Sequence, residues 1–134
     1  METTTSASYF AELVGSFNSR ECLLVLSDGN RVQGWGVVKR YSDRPGYSVA
    51  CETSIYFDQG ATGQGLGSKL QKALIDMVRA FSYHHIVVKI WAGNEGSLRF
   101  HEGFGFELVG IQKQVGFLDG KWIDVAILQC LLEG

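Results

Sequence analysis

Ala61-Thr62-Gly63-Gln64-Gly65-Leu66-Gly67-Ser68-Lys69-Leu70 joins a short alternating segment to a long amphipathic one, and its reading decides the fold. Before it, Val49, Cys51, Ile55 and Phe57 alternate with other residues, which predicts a strand over Tyr47 to Phe57. After it, Leu66, Leu70, Ala73, Leu74, Met77, Val78 and Phe81 recur with helical period. Glycines let backbone N–H groups turn toward one point, and a helix start adds partial positive charge, so this loop suits a pyrophosphate. An ordinary glycine turn is the plain alternative. Two familiar phosphate motifs fail here. A P-loop ends in Gly-Lys-Ser/Thr, whereas Leu66 follows Gly65 and Ser68 precedes Lys69. A dinucleotide fingerprint needs a third glycine three residues after the second and an acidic residue about 20 positions on, where Tyr83, His84 and His85 stand.

Downstream, Ile86 to Trp91 is a short, nearly continuous apolar run of the kind a strand buried on both faces carries. The strand-helix-strand order predicts that it runs parallel to the strand before the loop. Residues 94–103 read as a helix, and Phe106 to Phe117 with Lys121 to Leu132 as a hairpin turned by Asp119 and Gly120. His84 and His85 fall in an expected solvent-exposed loop with no metal-ligand spacing around them.

Upstream, Glu21 to Leu26 and Val32 to Lys39 flank the turn signal Ser27-Asp28-Gly29-Asn30 and read as a hairpin. Arg44, Pro45 and Gly46 then break the chain before the strand that ends at Phe57. In residues 6–18, Phe10, Leu13, Val14 and Phe17 are spaced by three and four, which predicts a short amphipathic helix.

The 134 residues suffice for one domain, 1–134, and 46% hydrophobic with 19% charged residues is the composition of a folded globular protein. The formal charge of −2, with scattered basic residues, shows no footprint for a nucleic acid or an anionic membrane. No apolar run approaches the roughly 20 residues that cross a bilayer, and the N-terminus lacks a secretory signal. A cytoplasmic protein is expected. Cys22, Cys51 and Cys130 have no zinc spacing and read as reduced core thiols, so no metal is expected.

Taken together, the Gly65 and Gly67 loop, the stretch Asn94 to Phe106 (NEGSLRFHEGFGF) and the stretch Gly116 to Gln129 (GFLDGKWIDVAILQ) resemble the GNAT superfamily of acyl-CoA-dependent N-acetyltransferases. The likeness is greatest to its phosphinothricin/methionine sulfoximine acetyltransferase branch. Asn94, Ser97, His101, Glu102, Gly105 and Phe106 match that branch's Asn-x-x-Ser-x-x-x-His-Glu-x-x-Gly-Phe spacing, while Thr62 stands where the family's loop has Arg or Gln.

The resemblance implies an α/β fold, a twisted mixed sheet with helices on both faces and two splayed central parallel strands. It implies acetyl-CoA as cosubstrate and the primary amine of a small molecule, such as an amino acid or analogue, as acceptor. A non-catalytic acyl-CoA-binding or interaction module on the same fold is the alternative. Ile55, Tyr56 and Phe57 would bind the pantetheine arm like an added strand, and Gly63, Gln64, Gly65, Leu66, Gly67 and Ser68 the phosphates. Asn94, with Ser97, would contact the arm or brace the helix start.

For the chemistry, the resemblance implies Glu52 as general base, in the pattern Glu-x-x-x-Tyr, or else an ordinary surface glutamate. His101 would hydrogen-bond the CoA sulfur or protonate the thiolate, or be structural. Arg44 and Tyr47 would hold an acceptor carboxylate, or form a turn with a solvated arginine. Trp122 and Asp124 would pack and brace the closing hairpin. Relatives begin with a strand and a helix that have no counterpart here. The expectation is therefore a Glu21 to Leu26 strand left at a sheet edge, a homodimer that covers it, and an open acceptor site.

Overall fold

The computed structural model describes residues 10–27, 31–57 and 65–133, and the chain divides into two compact units, Met1–Tyr83 and His84–Gly134. The chain is of the α/β class, with strands and helices in each unit.

The first unit corrects the reading of the N-terminal residues. Phe10–Asn18 is a strand, β1, where a helix was expected; residues 6–9 lie outside the described residues. β1 pairs antiparallel with β2 (Glu21–Ser27) through a two-residue turn at Ser19 and Arg20, with Asn18 opposite Glu21. The register shifts between Leu13 and Gly15 and again between Gly15 and Asn18. Such a shift inserts an extra residue and breaks the period of two, so apolar spacings of three and four arise in an extended strand. Gly15 also weakens any helix there by about 1 kcal/mol.

β2 pairs on its other side with β3 (Val32–Arg40), from Cys22 opposite Val38 to Ser27 opposite Val32. It is an inner strand, and the expected exposed edge at Glu21 to Leu26 is covered by β1. β3 in turn pairs with β4 (Ala50–Phe57), from Gly34 opposite Phe57 to Arg40 opposite Cys51. β4 starts three residues later than expected, because Pro45–Tyr47 forms a 3₁₀ turn in which Tyr47 N–H reaches Arg44 O at 2.9 Å. Proline at its first position fixes the turning φ.

Helix α1 (Leu66–Ala80) lies on one face of this antiparallel sheet. Leu66, Leu70, Leu74 and Val78 are buried along it, and Cys22, Leu24 and Leu26 alternate inward along β2. Each such leucine contributes on the order of 2 kcal/mol by leaving water. The helix sits close because β3 offers Gly36, where an added Cβ would stand 3.0 Å from Leu74 Cδ1. Gln71 is buried among these residues with neither side-chain Nε2 nor Oε1 bonded among the described residues. At the far end Arg20 Nε donates to Phe81 O at 2.9 Å and its guanidinium lies 4.0 Å above the Tyr83 ring, while Tyr83 Oη donates to Arg20 O at 2.9 Å.

The second unit holds β5 (His85–Trp91), helix α2 (Glu95–Gly103), β6 (Glu107–Leu118) and β7 (Lys121–Leu131). β7 runs antiparallel between β5 and β6. Ile86, Val87 and Val88 are all buried, as a strand covered on both faces requires. His84 is exposed as expected, but His85 opens β5 and is half-buried. Leu118 faces Lys121 across Asp119 and Gly120, whose φ angles of 52° and 77° fit the two-residue turn that Asp-Gly favours. No helix among the described residues is long and apolar enough to cross a membrane.

Candidate functional site

A cleft of about 290 Å³ opens in the first unit, lined by the β1–β2 turn, the end of β3 and the connection into β4. It brings together Arg44 and Tyr47, the two residues expected to hold an acceptor, and adds Arg20 and Arg40, which the sequence reading missed. Arg20 is engaged with Phe81 and Tyr83. Arg40 is tied to Glu21 at 3.5 Å and Asp43 at 3.0 Å, and its N–H donates to Glu21 Oε2. None of these bonds takes the guanidinium of Arg44, whose own N–H donates to Ser42 Oγ at 3.1 Å. Tyr47 meets Tyr41 edge to face at 5.7 Å. No motif spacing could have found Arg20 or Arg40, since only the strand pairing folds residues 20, 40 and 44 around one space.

Glu52 follows two residues after Ala50, the last residue of that lining, and stands outside the cleft wall. It is half-buried and lies opposite Lys39 in the β3–β4 ladder. Its neighbour Cys51 is buried, and desolvation pushes that thiol up to about 12, so Cys51 is no nucleophile at neutral pH. Burial raises Cys22 as well.

Ile55, Tyr56 and Phe57 close β4, bound along one edge to Gly36, Trp35 and Gly34 of β3. Tyr56 stacks on Trp35 with centroids 5.4 Å apart. The chain then reaches Gly65, the cap of α1, in the left-handed region at φ 72°, which glycine adopts without strain. Gly65 closes no side-chain bond over the first turn, an added Cβ there would meet nothing within 4 Å, and Ser68 is exposed. The backbone N–H groups of Leu66, Gly67 and Ser68 open the helix, so the arrangement fits an anion. Gly63 and Gln64 lie outside the described residues.

In the second unit the Asn94 to Phe106 motif resolves into a capped helix. Asn94 Oδ1 accepts the Ser97 N–H at 3.1 Å, and Ser97 O accepts from His101 Nδ1 at 2.9 Å. At the other end Phe106 N–H returns to His101 O at 3.1 Å past Gly105, at φ 92°. His101 is buried between the rings of Phe100 and Phe106, at 5.3 and 5.1 Å. Because a carbonyl only accepts, Nδ1 carries the proton and Nε2 of the neutral ring keeps a lone pair. Burial lowers the His101 pKa, with the Ser97 bond a smaller opposing effect. The ring is therefore neutral at pH 7, and Nε2 carries no proton to give to a leaving thiolate but can accept a hydrogen bond.

Asp124 braces the closing hairpin as expected. It accepts Gln114 N–H at 2.8 Å, holding that residue in a bulge at φ 53°, and draws Lys113 to 3.6 Å. Trp122 does not pack inward. It is exposed and packs on Phe117 across the hairpin, edge to face at 5.0 Å. No group of three or more His, Cys, Asp or Glu poised for a metal ion occurs among the described residues.

The family model described as acetyltransferase (GNAT) domain matches residues 2–127. A phosphinothricin N-acetyltransferase of Streptomyces coelicolor is 35% identical over 75% of this chain and 58% of its own length. An L-methionine sulfoximine/L-methionine sulfone acetyltransferase of Pseudomonas paraeruginosa is 35% identical over 83% of this chain and 65% of its own. An acetyltransferase from Salmonella typhimurium, solved with its cofactor acetyl-CoA, shares the fold with a TM-score of 0.80 at 31% identity, covering 85% of this chain and 66% of that one. The chain thus spans about three-fifths of the length of the curated relatives it matches.

Proposed function

The chain belongs to the GNAT acetyltransferase family, and from that premise we propose that it transfers an acetyl group from acetyl-CoA to the primary amine of a small molecule, an amino acid or an amino-acid analogue. One observation carries this reading: a single strand, β4, strings the parts together. The cleft with Arg44 and Tyr47 lies at its start, Glu52 follows, Ile55 to Phe57 end it, and the open start of α1 comes next in the chain.

When bound, acetyl-CoA supplies an activated acyl carbon and a thiolate leaving group. The first-turn N–H groups at Leu66, Gly67 and Ser68 would hold its pyrophosphate beside Gly65, with Gly63 and Gln64 completing the loop. The backbone of Ile55, Tyr56 and Phe57 would take the pantetheine arm. An amine is mostly protonated at pH 7, so Glu52 would take a proton from it, directly or through a water, as attack proceeds. Arg44 would offer its guanidinium to the acceptor's carboxylate, with Tyr47 closing the side of the cleft. His101 would take part as a neutral ring that accepts at Nε2, while Asn94 and Ser97 shape the start of its helix.

Relatives named for phosphinothricin and for methionine sulfoximine and sulfone support an amino-acid-like acceptor. A cytoplasmic location goes with this reading, because Cys22, Cys51 and Cys130 are all buried without a disulfide. Thiol release from acetyl-CoA, measured across amino acids, sulfoximines and polyamines, tests the proposal. Glu52→Gln should lower turnover by about 10² while CoA affinity holds. An unchanged rate would remove Glu52 from the reaction, and no release with any amine would leave only acyl-CoA binding.

A further inference from the structure

The β3–β4 ladder sets Lys39 directly opposite Glu52. Side chains opposite one another on paired strands share a face, with Cβ atoms about 5 Å apart. Burial on either side of this rung tells which face it is. Gly36, Val38 and Thr53 turn toward α1, where an added Cβ at Gly36 would meet Leu74 and where Val38 and Thr53 are buried. Successive residues of a strand alternate, so Lys39 and Glu52 point to the opposite face. Lys39 is exposed there and Glu52 half-buried.

The other charged and titratable groups of the first unit that lie near Glu52 are engaged, neutral or placed elsewhere. Arg40 belongs to the α1 side and is tied to Glu21 at 3.5 Å and to Asp43 at 3.0 Å. Glu21 also accepts the Arg40 N–H at 2.8 Å. Arg20 is held at Phe81 and Tyr83. Cys51, next to Glu52, is a buried thiol that stays neutral. Lys69, Lys72, Asp76 and Arg79 ride on α1, against the opposite face, and Arg44 and Tyr47 line the cleft before the strand. The Lys39 ammonium enters no ion pair among the described residues.

A carboxylate that acts as a base must stay ionised when the site fills and water leaves it. Desolvation raises a carboxyl's pKa, and an opposite charge within about 4–6 Å lowers it. The flexible four-carbon stem of a lysine lets its ammonium swing to that distance from the carboxylate across the ladder. In open water the attraction is weak and screened, and it grows as water is excluded. We propose that Lys39 is a positioning residue for acetyl transfer, its ammonium holding the Glu52 carboxylate ionised in the filled site. The proposal rests on the reading of Glu52 as the general base.

The pH dependence of turnover tests it, since kcat reports groups in the loaded enzyme and kcat/KM those in the free one. Lys39→Met changes only an exposed side chain and should move the acidic limb of the kcat profile up by about one pH unit. The limb of kcat/KM should move less, and Lys39→Arg should restore the parent's profile. Lys72→Met removes the same charge from the exposed side of α1 and should leave both limbs in place. Carbon-13 titration of the Glu52 carboxyl needs no turnover. At low ionic strength its midpoint should rise in Lys39→Met, and added salt should erase the difference. Unmoved limbs in Lys39→Met, where Glu52→Gln is slow, would overturn this proposal and leave Glu52 as the base. A Glu52→Gln chain as fast as the parent would overturn both. A Lys72→Met limb that moves as far as that of Lys39→Met would trace the effect to net charge and overturn the proposal as well.

Discussion

Helix α1 starts at Gly65, left-handed and without a side chain over its first turn, whereas α2 starts at Asn94, whose Oδ1 takes the Ser97 N–H. Both starts carry the positive end of a helix dipole. At α2 a side-chain oxygen already accepts one of the first-turn donors, and the Ser97 carbonyl ties His101 to the same turn. At α1 the cap residue, Gly65, has no side chain to offer the corresponding donors. The contrast separates two readings that sequence motifs treat alike: a glycine-opened start is a place for a ligand's anion, and an asparagine-capped start is a stabilised end of secondary structure.

The strongest way to break this contrast is Gly65→Val. A β-branched residue resists φ 72°, and its side chain stands where the anion must approach, so CoA affinity by calorimetry should fall about 10²-fold or more in a chain that keeps its circular dichroism. Affinity equal to the parent would mean that the α1 start is not the phosphate site.

A middle-sized effect is expected at His101. His101→Gln loses the ring contacts with Phe100 and Phe106 and should cost about 2 kcal/mol by denaturant melts. The sign of the pH effect follows from the lowered pKa: the unfolded chain binds the proton more readily, so stability from this group is full above the ordinary value of 6.5 and is lost as pH falls below it toward the folded value. The parent should weaken between pH 7.5 and 5 by more than the His101→Gln chain. Equal losses would show that the ring is not held neutral.

The smallest effect belongs to Asn94. Asn94→Ala should cost about 1 kcal/mol of stability as a lost cap, Asn94→Asp close to nothing, and CoA affinity should move far less than in Gly65→Val. A drop in affinity as large as that at Gly65 would erase the distinction between the two helix starts.

Much of this was legible in the sequence where one rule acted alone. The period of α1, the apolar run of β5 and the Asp119-Gly120 turn each stand as expected. The spacing of Asn94, Ser97 and His101 was visible too, but not its cause, because a cap and a ligand contact call for the same side chain. Phe10, Leu13, Val14 and Phe17 misled because two register shifts gave a strand the spacing of a helix. That error then placed the sheet edge at β2, which β1 in fact covers. Arg20 and Arg40 reach the cleft by strand pairing, which no local pattern encodes.

The clasp between Arg20 and the end of α1 bears on the order of folding. The β1–β2, β2–β3 and β3–β4 pairs join neighbours along the chain, but Arg20 meets Phe81 and Tyr83 across separations of 61 and 63 residues. Contacts that close so long a loop carry a high entropic cost until the sheet between them exists. They belong after the rate-limiting barrier, so the clasp governs how fast the native unit opens more than how fast it forms. A chevron plot would carry its signature on the unfolding limb.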